Sequence, residues 1–179
     1  MTEISDYESI AGVQSVKLTP YSDDRGTFVE TFRKEWFPQR DWGRIQMNVS
    51  YSKKGCIRGL HYHHRQVDFW IFIQGEFRVG LHDLRPGSPT SGTSSTIDIS
   101  SEDRLGLYIP IGVAHGFATK TDVVMTYLVD NYYDTTDENE VAWNDPDIGI
   151  DWGVEVTGTS ERDRKAPRLK DIPKDELPR

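Results

Sequence analysis

Three of the five histidines in this sequence lie in one short segment, Arg58-Gly59-Leu60-His61-Tyr62-His63-His64. Imidazole transfers protons near neutral pH and is a common metal ligand. If the segment is a β-strand, His61 and His63 point to one face and Arg58 points to the other. A single histidine is more often structural, but this clustering predicts two imidazoles directed into one cavity.

A fourth histidine, His115, follows a turn signal in Pro110-Ile111-Gly112-Val113-Ala114-His115-Gly116. A turn built on proline and glycine is expected to close a hairpin and to hold the histidine side chain rigidly. The sequence therefore offers two histidine-bearing segments that one β-structure can bring together.

The elements that must position these residues are short β-rich runs separated by turn signals such as Asp24-Arg25-Gly26 and Gln74-Gly75. No alternation of strands and helices is visible, so the pattern predicts a mainly β sandwich or barrel with few short helices. The predicted strands are Val16–Leu18, Thr27–Phe32, Ile45–Tyr51, Cys56–Tyr62, Phe69–Ile73, Phe77–Leu81, Ser95–Ile99, Leu105–Ile109 and Val123–Val129.

The composition narrows the function class. The 179 residues suit a single domain, and the formal net charge of −8, without long charged blocks, disfavours nucleic-acid and anionic-membrane surfaces. The sequence has no run approaching the roughly 18 to 20 apolar residues of a membrane span. One cysteine, Cys56, excludes an internal disulfide. We expect a cytoplasmic protein with a small-molecule partner.

The combination of His-x-His with a later Pro-x-Gly-x-x-His resembles the two motifs of the cupin superfamily, whose jelly-roll barrels carry their sites inside. A closer resemblance, from about Leu18 to Leu169, is to the dTDP-4-dehydrorhamnose 3,5-epimerases. Five blocks carry it: Asp24–Gly26 with Phe28–Phe32; Gln46–Ser50 with Arg58–Tyr62; Gly112–Phe117; Tyr127 with Tyr132-Tyr133; and Trp143–Trp152.

This resemblance implies a cofactor-independent isomerase that inverts carbon 3, carbon 5 or both in a dTDP-4-keto-6-deoxyhexose through an enolate, in rhamnose-type deoxysugar biosynthesis. It makes His61 the base, Asp163 the carboxylate that orients it, and Tyr127 the acid. The core then spans about 14–152, and the tail 153–179 must fold back over the barrel to bring Asp163 to His61. A homodimer is also implied by resemblance.

The resemblance also implies a set of substrate-binding positions whose chemistry suits a nucleotide sugar. Guanidinium groups bind pyrophosphate oxygens, and amides hydrogen-bond to a pyrimidine or to hydroxyl groups. The positions are Arg25, Glu30, Gln46, Asn48, Arg58, His115 and Tyr133.

One position departs from the family pattern. Where the family usually carries a lysine that stabilises the enolate, this sequence has Asp68. Arg58 or His115 could supply the positive charge, or the reaction could differ. In metal-binding cupins an acidic ligand stands at this spacing after His-x-His, so a rival hypothesis is a metal-dependent isomerase or oxygenase using His61, His63, Asp68 and His115. A catalytically silent nucleotide-sugar binder is a second alternative.

Overall fold

The computed structural model describes residues 2–178, and most of its regular structure is β-strand. The helical elements are short: one α-helix, α1 (Glu161–Lys165), and single 3₁₀ turns at Lys34–Trp36, Ser101–Asp103, Leu169–Asp171 and Lys174–Glu176. The strands are β1 (Glu3–Asp6), β2 (Gln14–Lys17), β3 (Pro20–Asp23), β4 (Gly26–Val29), β5 (Gln46–Ser52), β6 (Ile57–Tyr62), β7 (Asp68–Gln74), β8 (Glu76–Asp83), β9 (Ser94–Ser100), β10 (Leu105–Ile109), β11 (Val113–Thr119), β12 (Val123–Val129) and β13 (Asn139–Glu140).

The strands form two large antiparallel sheets and one small hairpin. The first sheet has the order β1-β2-β10-β7-β12-β5, the second β13-β6-β11-β8-β9, and β3 pairs only with β4. The strand β7 is central in the first sheet, and its apolar run from Phe69 to Phe72 is fully buried, as expected for a strand covered on both faces. The prediction of a mainly β jelly roll is confirmed.

Apolar side chains fill three layers around these sheets. Between the sheets lie Trp70, Phe77 and Phe117, and burial of each such side chain stabilises the fold by about 1.5–3 kcal/mol. The outer face of the first sheet is covered by Phe37 and Trp42. The outer face of the second sheet is covered from the C-terminal side of the chain, by the residues Ile148, Trp152 and Ile172. Packing on both outer faces therefore anchors the segments that flank the sandwich.

A β-bulge in β6 changes which side chains share a face. The partner of β6 is β11, where His115 pairs with His61 but Phe117 pairs with Arg58, so one extra residue lies in β6 between the two pairs. The extra residue reverses the alternation, and Arg58 lies on the same side as His61. The expectation that Arg58 points away from His61 is therefore wrong.

Glycine makes this bulge possible. Gly59 has a φ of +122°, and a Cβ there would lie 2.7 Å from the Gly116 Cα atom and 2.8 Å from the His115 carbonyl oxygen. Gly116 is constrained in the same way, since its Cβ would lie 2.6 Å from the Arg58 carbonyl oxygen. Both strands therefore require glycine at their closest approach, which sets the spacing of the two histidine-bearing segments.

Among residues 2–178, no helix has both the length and the apolar character needed to cross a bilayer.

Candidate active site

A cavity of about 450 Å³ opens between the two sheets and contains the predicted catalytic residues. Side chains from β5, β6, β7, β11 and β12 line it, together with residues from the tail around α1. The lining residues are Val49, Ser50, Tyr51, Arg58, His61, His63, Gln66, Asp68, Trp70, His115, Gly116, Phe117, Met125, Tyr127, Glu138, Ser160, Arg162 and Asp163.

His61 and Asp163 form a hydrogen-bonded pair although 102 residues separate them in the sequence. The His61 Nε2 atom lies 2.8 Å from the Asp163 Oδ1 atom, and the Asp163 side chain is buried. Burial by itself would raise the pKa of Asp163, but hydrogen bonds from His61 and from the Gly59 N–H outweigh it and hold that pKa below its ordinary value. An ionised carboxylate only accepts, so in its neutral form the His61 ring carries its proton on Nε2 and its lone pair on Nδ1.

The tail reaches His61 through specific backbone contacts. The Ser160 hydroxyl accepts a hydrogen bond from the Asp163 N–H and so caps the start of α1. Beyond α1, the Leu169 N–H donates to the buried carboxylate of Asp145, which lies in the Trp143–Trp152 block. The segment carrying Asp163 is thus held at both ends.

Tyr127 comes from the other sheet. It lies on β12, whereas His61 lies on β6, so the two side chains enter the cavity from the two opposed sheets. Burial raises the pKa of Tyr127, and the nearby carboxylates of Asp68 and Glu138 raise it further. The phenol therefore stays protonated at neutral pH and can act as a proton donor.

His63, Asp68 and His115 form a second, buried cluster in the cavity wall. The His63 Nε2 atom lies 3.6 Å from Asp68 Oδ1, and the His115 Nε2 atom lies 3.7 Å from Asp68 Oδ2. Burial lowers the pKa of His115 to about 4, although Asp68 acts in the opposite direction. His61 is not part of this group, because its ring is bonded to Asp163. The four-residue set suggested by the sequence is therefore divided: His61 pairs with Asp163, and the other three residues form the cluster.

Two cations line the cavity among the described residues. Arg58 donates from Nε to the Ser52 hydroxyl at 2.8 Å and contacts no carboxylate within 4 Å among the described residues. Arg162 is paired with the carboxylates of Glu138 and Glu140. Arg58 is therefore the cation whose charge is available to a bound ligand.

The remaining predicted ligand residues lie outside this cavity. Gln46 and Asn48 share with Ser50 the inward face of β5, and Gln46 Oε1 accepts a hydrogen bond from the Tyr133 N–H at 2.9 Å. Gln46 and Asn48 therefore lie beside the cavity, on the face of β5 that carries Ser50. The last two, Arg25 and Glu30, lie at the exposed hairpin β3–β4 and just after it, where their ionic partners are Asp23 and Arg33.

Several cavity residues were not singled out from the sequence. Gln66 and Trp70 lie two residues before and after Asp68 and contact its carboxylate. The sequence could have indicated them because they are near the acidic residue at the metal-ligand spacing. Glu138 and Arg162 carry no local signal, since each looks like an ordinary solvated charge until the tail is folded back.

Comparisons with known proteins identify the family of this chain. A sequence model of the dTDP-4-dehydrorhamnose 3,5-epimerase family matches residues 7–171. The chain belongs to this family. A dTDP-4-dehydrorhamnose 3,5-epimerase of Sinorhizobium fredii is 37% identical, with 92% of this chain and 89% of the relative covered. A dTDP-4-dehydro-6-deoxyglucose 3-epimerase of a Streptomyces species is 33% identical, with 90% and 86% covered.

A solved structure shows the same fold. The dTDP-6-deoxy-D-glucose-3,5-epimerase of Legionella pneumophila, in complex with dTDP-4-keto-L-rhamnose, superimposes with a TM-score of 0.91 at 31% identity and covers 100% of this chain and 98% of its own. As a member of the family the chain is an isomerase, an epimerase of deoxysugar biosynthesis. This assignment replaces two alternatives raised from the sequence, a metal-dependent oxygenase and a catalytically silent nucleotide-sugar binder.

Proposed function

We propose that this protein inverts carbon 3, carbon 5 or both of a dTDP-4-keto-6-deoxyhexose by removing a proton beside the ketone and returning one to the opposite face. The observation that carries the proposal is the His61–Asp163 pair facing Tyr127 across one cavity. The names of the relatives support a dTDP-linked keto sugar as substrate.

In the first step, His61 acts as the base. Its Nε2–H is held by Asp163, so the Nδ1 lone pair takes the proton from the carbon next to the ketone. The carboxylate fixes the tautomer and stabilises the imidazolium that forms. The bonding electrons of the C–H bond move to the ketone oxygen, and the enolate charge is then near Arg58, the cavity guanidinium that contacts no carboxylate within residues 2–178.

In the second step, Tyr127 gives its phenolic proton to the same carbon from the other side. The high pKa of Tyr127 keeps the phenol protonated until the carbanion accepts the proton. The tyrosinate then recovers a proton from water and His61 returns its proton to water, so the cycle is balanced. Inversion follows because the base and the acid come from opposed sheets.

The chemistry is tested by incubating the protein with dTDP-4-keto-6-deoxyglucose in deuterated water and following carbons 3 and 5 by proton NMR. We expect loss of the signal at the carbon or carbons that are inverted, with an inverted product. Exchange at one carbon alone would assign a mono-epimerase. The absence of exchange at both carbons, with intact protein, would contradict the proposed function.

We further propose that the protein is a homodimer, formed by a second copy along the edge strand β5. This edge is unpaired within the described chain, and its side chains Met47, Val49 and Tyr51, of which the last two also border the cavity, are 59%, 53% and 72% exposed. An apolar open sheet edge is rarely left uncovered. The exposed hairpin β3–β4 carries Arg25 away from its own cavity, so it is available to a neighbouring cavity.

This arrangement predicts that Arg25 binds nucleotide in the partner's site. Arg25→Ala is expected to raise KM by about 10- to 100-fold through the loss of charge-assisted hydrogen bonds. Mixing Arg25→Ala with His61→Gln subunits and allowing them to exchange should then restore activity, because about one quarter of the sites regain both residues. If mixing restores nothing while light scattering shows a dimer, Arg25 does not act in the partner's site.

Composition and fold also support two simpler proposals. We place the protein in the cytoplasm, because a sequence with one cysteine carries no sign of an oxidising compartment. We regard the chain as one domain, since the segment 153–178 packs on the second sheet and completes its site.

A further inference from the structure

The buried cluster of His63, Asp68 and His115 is not used by the proton transfers described above. All three residues are at least 95% buried, yet all three border the cavity. Their ligand atoms, one from each residue, lie within 4.8 Å of one another. The proposed proton transfers therefore do not explain why these three residues are buried together beside the cavity.

Hydrogen bonds hold both imidazoles in the form that a metal requires. The His63 Nδ1–H donates to the Asp137 carbonyl oxygen at 2.7 Å, and the His115 Nδ1–H donates to the Val113 carbonyl oxygen at 2.9 Å. In each ring Nε2 is left as the free nitrogen, and both Nε2 atoms face Asp68. Metal-ligating histidines are usually oriented by such a bond from the second nitrogen.

The contacts of the Gln66 amide indicate that the space between the Asp68 carboxylate and the His63 Nε2 atom favours a positively charged group. Its Nε2 lies 3.1 Å from Asp68 Oδ1 and 3.3 Å from His63 Nε2. The amide must present its NH₂ group, since its oxygen would be repelled by the carboxylate. The two N–H bonds then point at an oxygen and a nitrogen that both accept. A metal ion would replace these hydrogens, and a turn of the amide would add its oxygen as a ligand.

The distances fit this exchange. A divalent metal bound at about 2.1 Å from each ligand atom holds neighbouring ligand atoms roughly 3–3.5 Å apart. The two separations from Asp68, 3.6 and 3.7 Å, are too long for hydrogen bonds and need to shorten by a few tenths of an ångström, while the ligand atoms of the two histidines lie no more than 4.8 Å apart and must also draw together. The Trp70 indole N–H donates to Asp68 Oδ2 at 3.1 Å and orients the carboxylate.

The charges favour a cation as well. Asp68 is a buried carboxylate that touches no lysine or arginine among the described residues, and Asp163 adds a second negative charge to the same cavity. Buried charges are normally paired or bound to a metal. An enolate would add a third negative charge, with Arg58 as the available guanidinium.

We propose that His63, Asp68 and His115, with Gln66, bind a divalent transition-metal ion that polarises the ketone oxygen of the substrate. Two imidazoles with oxygen ligands suit zinc, cobalt, nickel, iron or manganese better than magnesium or calcium. The open side of the ion faces the cavity, where the ketone oxygen can bind. The ion thereby supplies the positive charge that Asp68 does not, and replaces the expectation of a cofactor-free enzyme. This inference rests on the proposed epimerase function.

Metal binding is tested first and without substrate. Untagged protein is dialysed against a chelator, freed of it, and titrated with Co²⁺, whose visible absorption reports nitrogen and oxygen ligands. We expect one Co²⁺ per chain, with affinity reduced about 100-fold or more in Asp68→Asn and in His115→Gln. His64→Gln, which changes the exposed neighbour of His63, is the matched control and should bind as the unaltered protein does. Equal affinity in all four proteins would overturn the metal site.

The role of the metal is tested by deuterium exchange into the keto sugar. Metal-free protein is expected to exchange at least 10-fold more slowly than the Co²⁺-loaded protein, and added Co²⁺ should restore the rate. Asp68→Lys, which places an ammonium where the metal would sit, should exchange at a rate that the chelator does not change. Equal exchange with and without metal would overturn this proposal but leave the epimerase assignment intact, whereas no exchange in either form would contradict the epimerase assignment itself.

Discussion

Replacing His61 with glutamine is expected to slow deuterium exchange at the inverted carbon or carbons by roughly 10²- to 10⁴-fold, the usual contribution of a general base. Glutamine can still donate a hydrogen bond to Asp163, but it has no basic nitrogen at the position of Nδ1. The substrate contacts remain, so KM should change little. The measurement is the rate of signal loss in deuterated water at saturating substrate.

The control for this experiment is His64→Gln, a change of the same type at the next histidine. The His64 side chain is exposed and does not line the cavity. The control should retain the exchange rate. If His61→Gln exchanges as fast as the control, His61 is not the base, and the pairing with Asp163 is structural.

Replacing Tyr127 with phenylalanine is expected to separate exchange from inversion. His61 can still remove the proton and return a deuteron to the same face, so deuterium should enter the sugar. Inversion should fall by roughly 10²- to 10⁴-fold, because the opposite face has lost its acid. NMR coupling constants distinguish the labelled starting sugar from the inverted product, and both can be read from one spectrum.

Tyr132→Phe provides the matched change at an exposed tyrosine outside the cavity, and it should invert the sugar normally. Persistence of inversion in Tyr127→Phe, at the rate of exchange, would mean that another group delivers the second proton. Loss of exchange together with inversion would instead give Tyr127 a part in proton removal.

Most strands could be predicted because their signal is local. In β8 the buried Phe77, Val79 and Leu81 alternate with other residues, as the period of a strand requires. The predictions missed β1, β3, β11 and the two-residue strand β13. The first two are short and largely exposed, and β11 was interpreted only as a turn followed by a histidine, because glycine, alanine and histidine have weak strand preferences.

The candidate site was predictable in its residue types but not in its arrangement. His61, Asp163 and Tyr127 do meet in one cavity, and their catalytic roles remain predictions. Strict alternation placed Arg58 on the wrong side, because a bulge depends on the partner strand and on the close approach of Gly59 and Gly116.

The amino-acid sequence by itself determined the β-rich character, the family and the chemical groups available for catalysis, since all three depend on residue identity and short-range periodicity. Only the tertiary structure decided which groups work together. In the folded chain His61 forms a hydrogen bond with Asp163, 102 positions further along the sequence, and is not part of the cluster of His63, Asp68 and His115. It also left Arg25 outside its own cavity. The physical reason is that contacts between distant segments are set by how both sheets and the tail bury their apolar faces together, which no single segment encodes.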